Sequence, residues 1–160
     1  MPVTLHHKRD EATDFLKTHS VGVLATVDPE GNPHAAAIYY AVDNHQNVSF
    51  LTKVGTKKAD NLRHHNHAVL VVYDAKTQTT VQVTGTTAEI ADQLELNRLF
   101  EHVISTSQHT SGAKVMPLTK LNAGDYVGYK LTPVQVRTAV FTHSSSGGYK
   151  DIFATTMPQG

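Results

Sequence analysis

The stretch VGVLATVDPEGNPHAAAIYYAV, residues 21–42, decides the fold. Its first seven residues are almost continuously apolar and rich in β-branched side chains, as in a strand that is buried on both faces. Residues 28–33 then combine Asp, Pro, Gly and Asn, the residue types that form turns. An apolar run returns at residues 34–42. The pattern therefore predicts a β-hairpin.

The same alternation of apolar runs and turns continues outward from this hairpin. It predicts further strands at residues 48–52, 68–73, 79–90 and 126–142, with a bulge at Gly85 and a bulge or an edge position at Pro133. Apolar spacing of three and four residues predicts helices at 8–18, 56–65 and 92–105, followed by a loop at 106–125. Six strands in meander order with flanking helices predict a mainly β fold, a small antiparallel barrel.

The amino-acid composition of the chain excludes several classes of function. The 160 residues include 14 Lys and Arg against 14 Asp and Glu, a balance that argues against nucleic-acid binding. The absence of cysteine excludes disulfides, cysteine-ligated metals and a thiol nucleophile. No apolar run approaches the ~20 residues of a membrane span and no signal peptide is recognisable, so we expect a cytoplasmic protein. Residues 1–142 are predicted as one domain and residues 143–160, which contain SSSGG, as a flexible tail.

The stretch TKVGTKKADN, residues 52–61, is the most informative for chemistry. Thr56 is a plausible N-cap, which places Lys57 and Lys58 in the first turn of a helix. Positive charges are unfavourable there unless an anion is bound. The residues alone leave two interpretations open: a phosphate site, or a pair of solvated lysines.

Three stretches taken in order carry a family resemblance. They are residues 22–34 (GVLATVDPEGNPH), residues 36–42 followed by 48–52, and TKKADNL at 56–62 leading to VQVTGTTAEI at 81–90. Over residues 8–140 this order and spacing resemble the FMN-binding split barrels of the pyridoxamine 5′-phosphate oxidase-like superfamily. The resemblance implies a six-stranded antiparallel split β-barrel with flanking helices. It also implies a homodimer that holds FMN at the subunit interface.

The resemblance also implies which residues would contact FMN. Those equivalent to the phosphate-binding Ser/Thr and basic residues of the family are Thr56, Lys57 and Lys58. The second strand would lay its backbone along the flavin ring and ribityl chain, and the end of the third strand would meet the ribityl–phosphate end. These positions are Ala36, Ala37, Ile38 and Tyr39, then Leu51 and Thr52. Gln82 would reach the flavin of the partner subunit. Asn61 is a weaker candidate, which would either contact FMN or only brace the loop.

Two departures bear on the reaction. No basic residue follows Lys150, and Ala36 stands about where the family has an arginine. We therefore expect an FMN-dependent oxidoreductase that does not oxidise pyridoxamine phosphate, with NAD(P)H or another small molecule as its partner in electron transfer. Alternatives are a non-enzymatic FMN store or sensor, and a deazaflavin- or haem-binding split barrel. The substrate, and whether turnover occurs at all, are left open.

The 11 histidines give no firm catalytic assignment. His64, His65 and His67 lie at a predicted helix C-terminus, where solvated imidazoles are favourable, so no metal site is predicted. Histidines in predicted terminal or loop segments, such as His19 and His109, are expected to be solvated. The other two of interest, as candidate proton donors, are His34 and His143.

Overall fold

The computed structural model describes residues 5–111, 124–141 and 154–156. In chain order its elements are α1 (Leu5–Thr18), β1 (Val21–Val27), β2 (Pro33–Val42), β3 (Val48–Lys53), α2 (Lys57–His64), β4 (His67–Asp74), β5 (Thr79–Glu89), α3 (Gln93–Ser111), β6 (Tyr126–Val140) and β7 (Ala154–Thr156). The predicted hairpin of β1 and β2 is confirmed, with Val23 opposite Ala37. All six predicted strands are present.

Six antiparallel strands close into a barrel in the order β3-β2-β1-β4-β5-β6, and β3 pairs with β6 to complete it. The mainly β barrel predicted from the sequence is therefore confirmed. The predicted meander order is wrong at one connection, because β4 pairs with β1 and not with β3. Helix α2 carries the chain from the end of β3 to the free edge of β1, which is a crossover that no local sequence pattern reports.

Two apolar clusters hold the fold together. The barrel interior is filled by side chains that are fully buried, among them Leu24, Phe50, Leu70, Val83 and Leu131. A second cluster lies outside the barrel, where α3 covers β2 and β3 through Leu51, Ile90, Leu99 and Val103. Removal of apolar surface from water is the main stabilising effect in both places.

The bulge predicted from Gly85 and Pro133 is confirmed. Between β5 and β6 the register changes from Thr84 opposite Gln135 to Gly85 opposite Pro133, which leaves Val134 as the extra residue. A Cβ atom on residue 85 would collide with the carbonyl oxygen of Thr132. Glycine is therefore required for the two backbones to approach each other at this point.

The C-terminal third departs from the prediction in two ways. Helix α3 extends through Ser111, so the predicted loop is wrong over its first residues. The hydroxyl groups of Thr106 and Ser107 donate to the carbonyl oxygens of His102 and Ile104, which makes polar residues compatible with a helix here. Within the predicted tail, Ala154–Thr156 pairs with β6. Residues 112–123 of the predicted loop and the remainder of the predicted tail, including His143, lie outside the described residues. Across the described ranges no helix is long and apolar enough to span a bilayer.

Candidate functional site

The N-terminus of α2 is built around two threonine hydroxyl groups. Thr56 is the N-cap, as predicted, and its oxygen accepts a hydrogen bond from the Ala59 N–H. The same hydroxyl donates to the carbonyl oxygen of Lys53 over 3.0 Å. Because a hydroxyl carries one proton, Thr52, whose oxygen lies 2.9 Å from that of Thr56, must be the donor between the two. Thr52 is buried, so the end of β3 and the start of α2 are held in one arrangement.

Lys57 and Lys58 occupy the first turn of α2, also as predicted. Their backbone N–H groups belong to the set that has no partner within a helix, and Thr56 caps only the N–H of Ala59. Lys57 is largely exposed, with its ammonium nitrogen 3.3 Å from the carboxylate of Asp28. Lys58 is half-buried, and this burial lowers the pKa of its ammonium group. Two lysines and two backbone N–H groups without an intrahelical partner therefore belong to the first turn of one helix.

Asp28 was not singled out from the sequence, yet it connects the β1–β2 turn to α2. Its carboxylate accepts hydrogen bonds from the backbone N–H groups of Glu30 and Asn32, at 3.1 and 2.8 Å, and from the Asn32 side chain. The Asn32 backbone, then its side chain and Lys57, lower the pKa of Asp28 to about 2. The DPEGNP stretch predicted a turn here, but the ion pair with Lys57 spans 29 residues of chain and has no local signal.

Asn61 and His34 lie on either side of Thr26. The side-chain amide of Asn61 is buried and donates to the Thr26 hydroxyl over 3.0 Å, so Asn61 connects α2 to β1. His34 lies opposite Thr26 in the hairpin. Its Nδ1 atom is buried and has no hydrogen-bond partner among the described residues. A buried polar atom of this kind is costly unless something else satisfies it.

The strand residues proposed to line a flavin point in different directions. Ile38 and Tyr40 face the barrel core, whereas Tyr39 packs on the outer cluster beneath α3 and Ala37 is exposed. Ile38 could therefore meet a ligand only through its backbone, because its side chain is buried in the core. Leu51 is buried under α3, so its side chain is a packing residue. Ala36 is half-buried at the end of β2 nearer to α2.

Gln82 does not join the other candidates within one chain. The residues Ala37, Val23, Val71 and Gln82 are directly opposite one another in turn, across β2, β1, β4 and β5. Three strand spacings of ~4.8 Å separate Ala37 from Gln82 by about 14 Å. Within one chain Gln82 therefore lies three strands away from the candidates on β2.

The histidines form no metal centre within the described ranges. His64, His65 and His67 are exposed at the end of α2 and the start of β4, as predicted. For His19 the expected solvation is wrong, and for His109, which is exposed as expected, only the loop placement is wrong. His19 is half-buried and bonded to Asp74, and His109 lies in α3.

The chain matches the family model described as pyridoxamine 5′-phosphate oxidase over residues 9–139. It therefore belongs to that family, and its barrel is the fold expected for a split-barrel member. No curated protein sequence matches it.

Solved structures support the same fold. A conserved hypothetical protein from Mycobacterium tuberculosis is 25% identical, with a TM-score of 0.66 over 87% of this chain and 91% of that one. A heme binding protein from Mycobacterium smegmatis is 17% identical, with a TM-score of 0.70 over 99% of this chain and 60% of that one. An FAD-binding protein from Mesorhizobium loti is 21% identical, with a TM-score of 0.60 over 80% and 89% of the two chains.

Proposed function

We propose that this protein binds FMN at the N-terminus of α2 and acts as a flavin-dependent oxidoreductase. The observation that carries the proposal is the first turn of α2, where Lys57 and Lys58 directly follow the Thr56 N-cap. The bound flavin would supply two-electron redox chemistry, and the chain would supply the phosphate anchor and the orientation. The FAD-binding relative of similar fold is consistent with a flavin.

Charge bookkeeping supports a terminal phosphate as the ligand group. Lys57 and Lys58 contribute two positive charges and Asp28 removes one, while a helix N-terminus is equivalent to about half a charge. Asp60, in the same turn, is neutralised by its ion pair with Arg63. The sum of about +1.5 matches a phosphate monoester, which carries about −1.5 to −2 at pH 7. Asp28 also holds the Lys57 ammonium group beside the helix end, so less side-chain freedom is lost on binding.

The outer face of the barrel favours a homodimer. Val21, Val23, Val27 and Tyr73 are 38–57% exposed on one sheet face, together with the small side chains of Ala35 and Ala37. Apolar surface exposed in this way marks a partner site. A two-fold axis along the strands, above the Val23–Val71 pair, would place Gln82 of a second copy opposite Ala37. Under this symmetry Gln82 of the second copy would complete the flavin site. Within one chain Gln82 lies about 14 Å from Ala37.

The identities of the substrate and of the electron donor are predictions. NAD(P)H or another small molecule would exchange electrons with the flavin, and pyridoxamine phosphate is not expected to be the substrate. Among the candidate cations for a second phosphate, Arg63 is paired with Asp60 and Lys130 with Glu95. Neither is free to form the bidentate cluster that phosphate recognition favours. The cytoplasmic location is likewise a prediction.

The experiment compares FMN with riboflavin, which lacks the phosphate. Charge-assisted hydrogen bonds contribute about 1.5–3 kcal/mol each. We therefore expect Lys57→Ala/Lys58→Ala to weaken FMN binding at least tenfold, measured by fluorescence quenching, and to leave riboflavin binding nearly unchanged. Lys76→Ala, which removes an exposed lysine from the β4–β5 turn, is the matched control and should leave both affinities intact.

Two outcomes would contradict the proposal. An equal loss of FMN and riboflavin affinity in the double variant would show that Lys57 and Lys58 do not bind the phosphate group. In the absorption spectrum of the purified protein, a sharp Soret band would show that the cofactor is haem, and a single deazaflavin band would show that it is a deazaflavin. The spectrum needs no substrate and separates these cofactors before any assay of turnover.

A further inference from the structure

A cleft of about 310 Å³ lies far from the N-terminus of α2. Its walls are the C-terminal end of α1, the first residues before β1, the last residues of β2 and one face of α3. Ser20 lines the cleft, whereas Thr26 at the far end of β1 contacts α2. Six residues of strand separate them by about 20 Å. The cleft is therefore distinct from the proposed flavin site.

The residues that line this cleft are charged in one sense only. They include Lys17, His19, His102 and His109, and no carboxylate is among them. Hydroxyl groups from α1, α3 and the segment before β1 add further polar surface. A concave site lined by potential cations and hydroxyl groups favours an anionic ligand.

His19 is held in place at the edge of the cleft by contacts with protein oxygen atoms. Its Nδ1 lies 2.7 Å from the carbonyl oxygen of Phe15, and its Nε2 lies 3.1 Å from the carboxylate of Asp74. The same Nδ1 lies 3.2 Å from the Thr18 hydroxyl oxygen. These contacts fix the orientation of the His19 ring in the wall of the cleft.

Helix α3 presents the groups that are free to bind. His102, Ser105 and His109 are spaced by three and four residues, which places them on one face of the helix. The rings of His102 and His109 make no hydrogen bond or ion pair with any described residue. Imidazole N–H groups that face a cleft without a protein partner are available to a ligand.

The floor of the cleft is apolar. Leu16 and Tyr40 are buried there, and Ala41 and Val42 continue the surface. The Tyr40 hydroxyl donates to the carbonyl oxygen of Leu16 over 2.8 Å, so its polar atom is already used within the protein. A floor of this kind suits a hydrocarbon body and not a fully hydrated ion.

We propose that this cleft binds a small organic anion, such as an aromatic carboxylate. Its charged group would lie against His102 and His109, with its apolar body on the floor formed by Leu16 and Tyr40. A metal ion is a poor occupant, because the histidines do not converge as a ligand set in the described part of the chain. Inorganic phosphate is also disfavoured, because it would leave the apolar floor uncovered.

Calorimetric titration of the full chain tests both halves of the proposal. Benzoate is the probe, benzamide is its neutral counterpart, and inorganic phosphate lacks the apolar body. We expect benzoate to bind at least tenfold more tightly than either compound. Equal binding of benzoate and benzamide would overturn the anion assignment. Equal binding of phosphate and benzoate would overturn the role of the apolar floor.

Substitutions locate the binding. His102→Gln/His109→Gln keeps polar, exposed side chains that cannot be protonated, and it should weaken benzoate binding at least fivefold. His64→Gln/His65→Gln removes two exposed histidines elsewhere and should change the affinity less than twofold. The lysine double variant at the start of α2 should also keep the wild-type benzoate affinity, whatever happens to its FMN binding. Wild-type benzoate affinity in the His102/His109 variant would overturn the proposal.

Discussion

At Asp28 one carboxylate supports both a turn and a helix end, and this makes its ionisation a stability determinant. Its pKa falls from an ordinary 3.8 to about 2 in the folded chain. A lowered folded pKa means that the carboxylate stabilises the fold fully above the unfolded value, and that this stabilisation is lost as the pH falls toward 2.

We therefore expect Asp28→Asn to lower the free energy of unfolding at pH 6. The deficit relative to the wild type should shrink between pH 4 and pH 2, because the wild-type carboxylate becomes protonated over that interval. Urea unfolding at several pH values checks this. A deficit that is the same at pH 6 and pH 2 would contradict the role given to the ionised carboxylate.

A second prediction at the residue scale concerns Asn61, for which the sequence left a ligand role and a bracing role open. Asn61→Ala removes the donor to Thr26 and should cost about 1–3 kcal/mol of unfolding free energy. FMN affinity of the folded variant should change less than threefold.

The control for this prediction is Thr26→Val, which removes the same hydrogen bond from the other side. If the two residues act through that bond, the double variant should lose less stability than the sum of the single variants. Additive losses, or a large loss of FMN affinity in a variant of near-native stability, would favour direct contact between Asn61 and the ligand.

At the scale of elements, strands were easier to predict than the length of α3. Each strand has its own alternating pattern and ends at turn residues, which are local signals. The STS sequence at residues 105–107 is typical of a loop, but Ser107 is fully buried and bonded to its own helix. Tertiary packing decided the length of this helix, because the burial of Ser107 outweighs the low intrinsic helix propensity of Ser and Thr.

The bulge between β5 and β6 supplies the prediction at this scale. Gly85→Ala places a methyl group against the Thr132 carbonyl, a backbone group that cannot rotate away. The loss of unfolding free energy should reach about 3 kcal/mol, the upper end of overpacking effects. Thermal and urea unfolding measure it.

Gly31→Ala is the matched control for the bulge. Gly31 has a φ of +89° with no atom within 4 Å of an added Cβ, so only the backbone conformation opposes the substitution. Its cost should be about 1–2 kcal/mol. A Gly85→Ala variant that is no less stable than Gly31→Ala would show that β6 shifts easily at the bulge.

At the scale of the whole molecule, the exposed apolar sheet face determines the assembly that we propose. Val23 is 45% exposed at the centre of that face. Val23→Glu should convert the dimer into a monomer in light scattering, because a dimer would bury the new carboxylate without a partner. FMN binding should weaken with it if a second copy completes the site.

Leu94→Glu provides the comparison, since Leu94 is 58% exposed on α3, away from the sheet face. That variant should keep the mass and the FMN affinity of the wild type. A wild-type protein that is monomeric at micromolar concentration with flavin bound would contradict the proposed assembly.

The sequence by itself determined the six strands, the three helices, the N-cap at Thr56 and the bulge at Gly85. These follow from side-chain periodicity, turn chemistry and capping, which act over a few residues. Only the tertiary structure decided the pairing of β1 with β4, the ion pair between Lys57 and Asp28, and the cleft between α1 and α3. Each of these joins residues that are distant along the chain. Their contact depends on how apolar faces pack together, and packing is a property of the whole molecule.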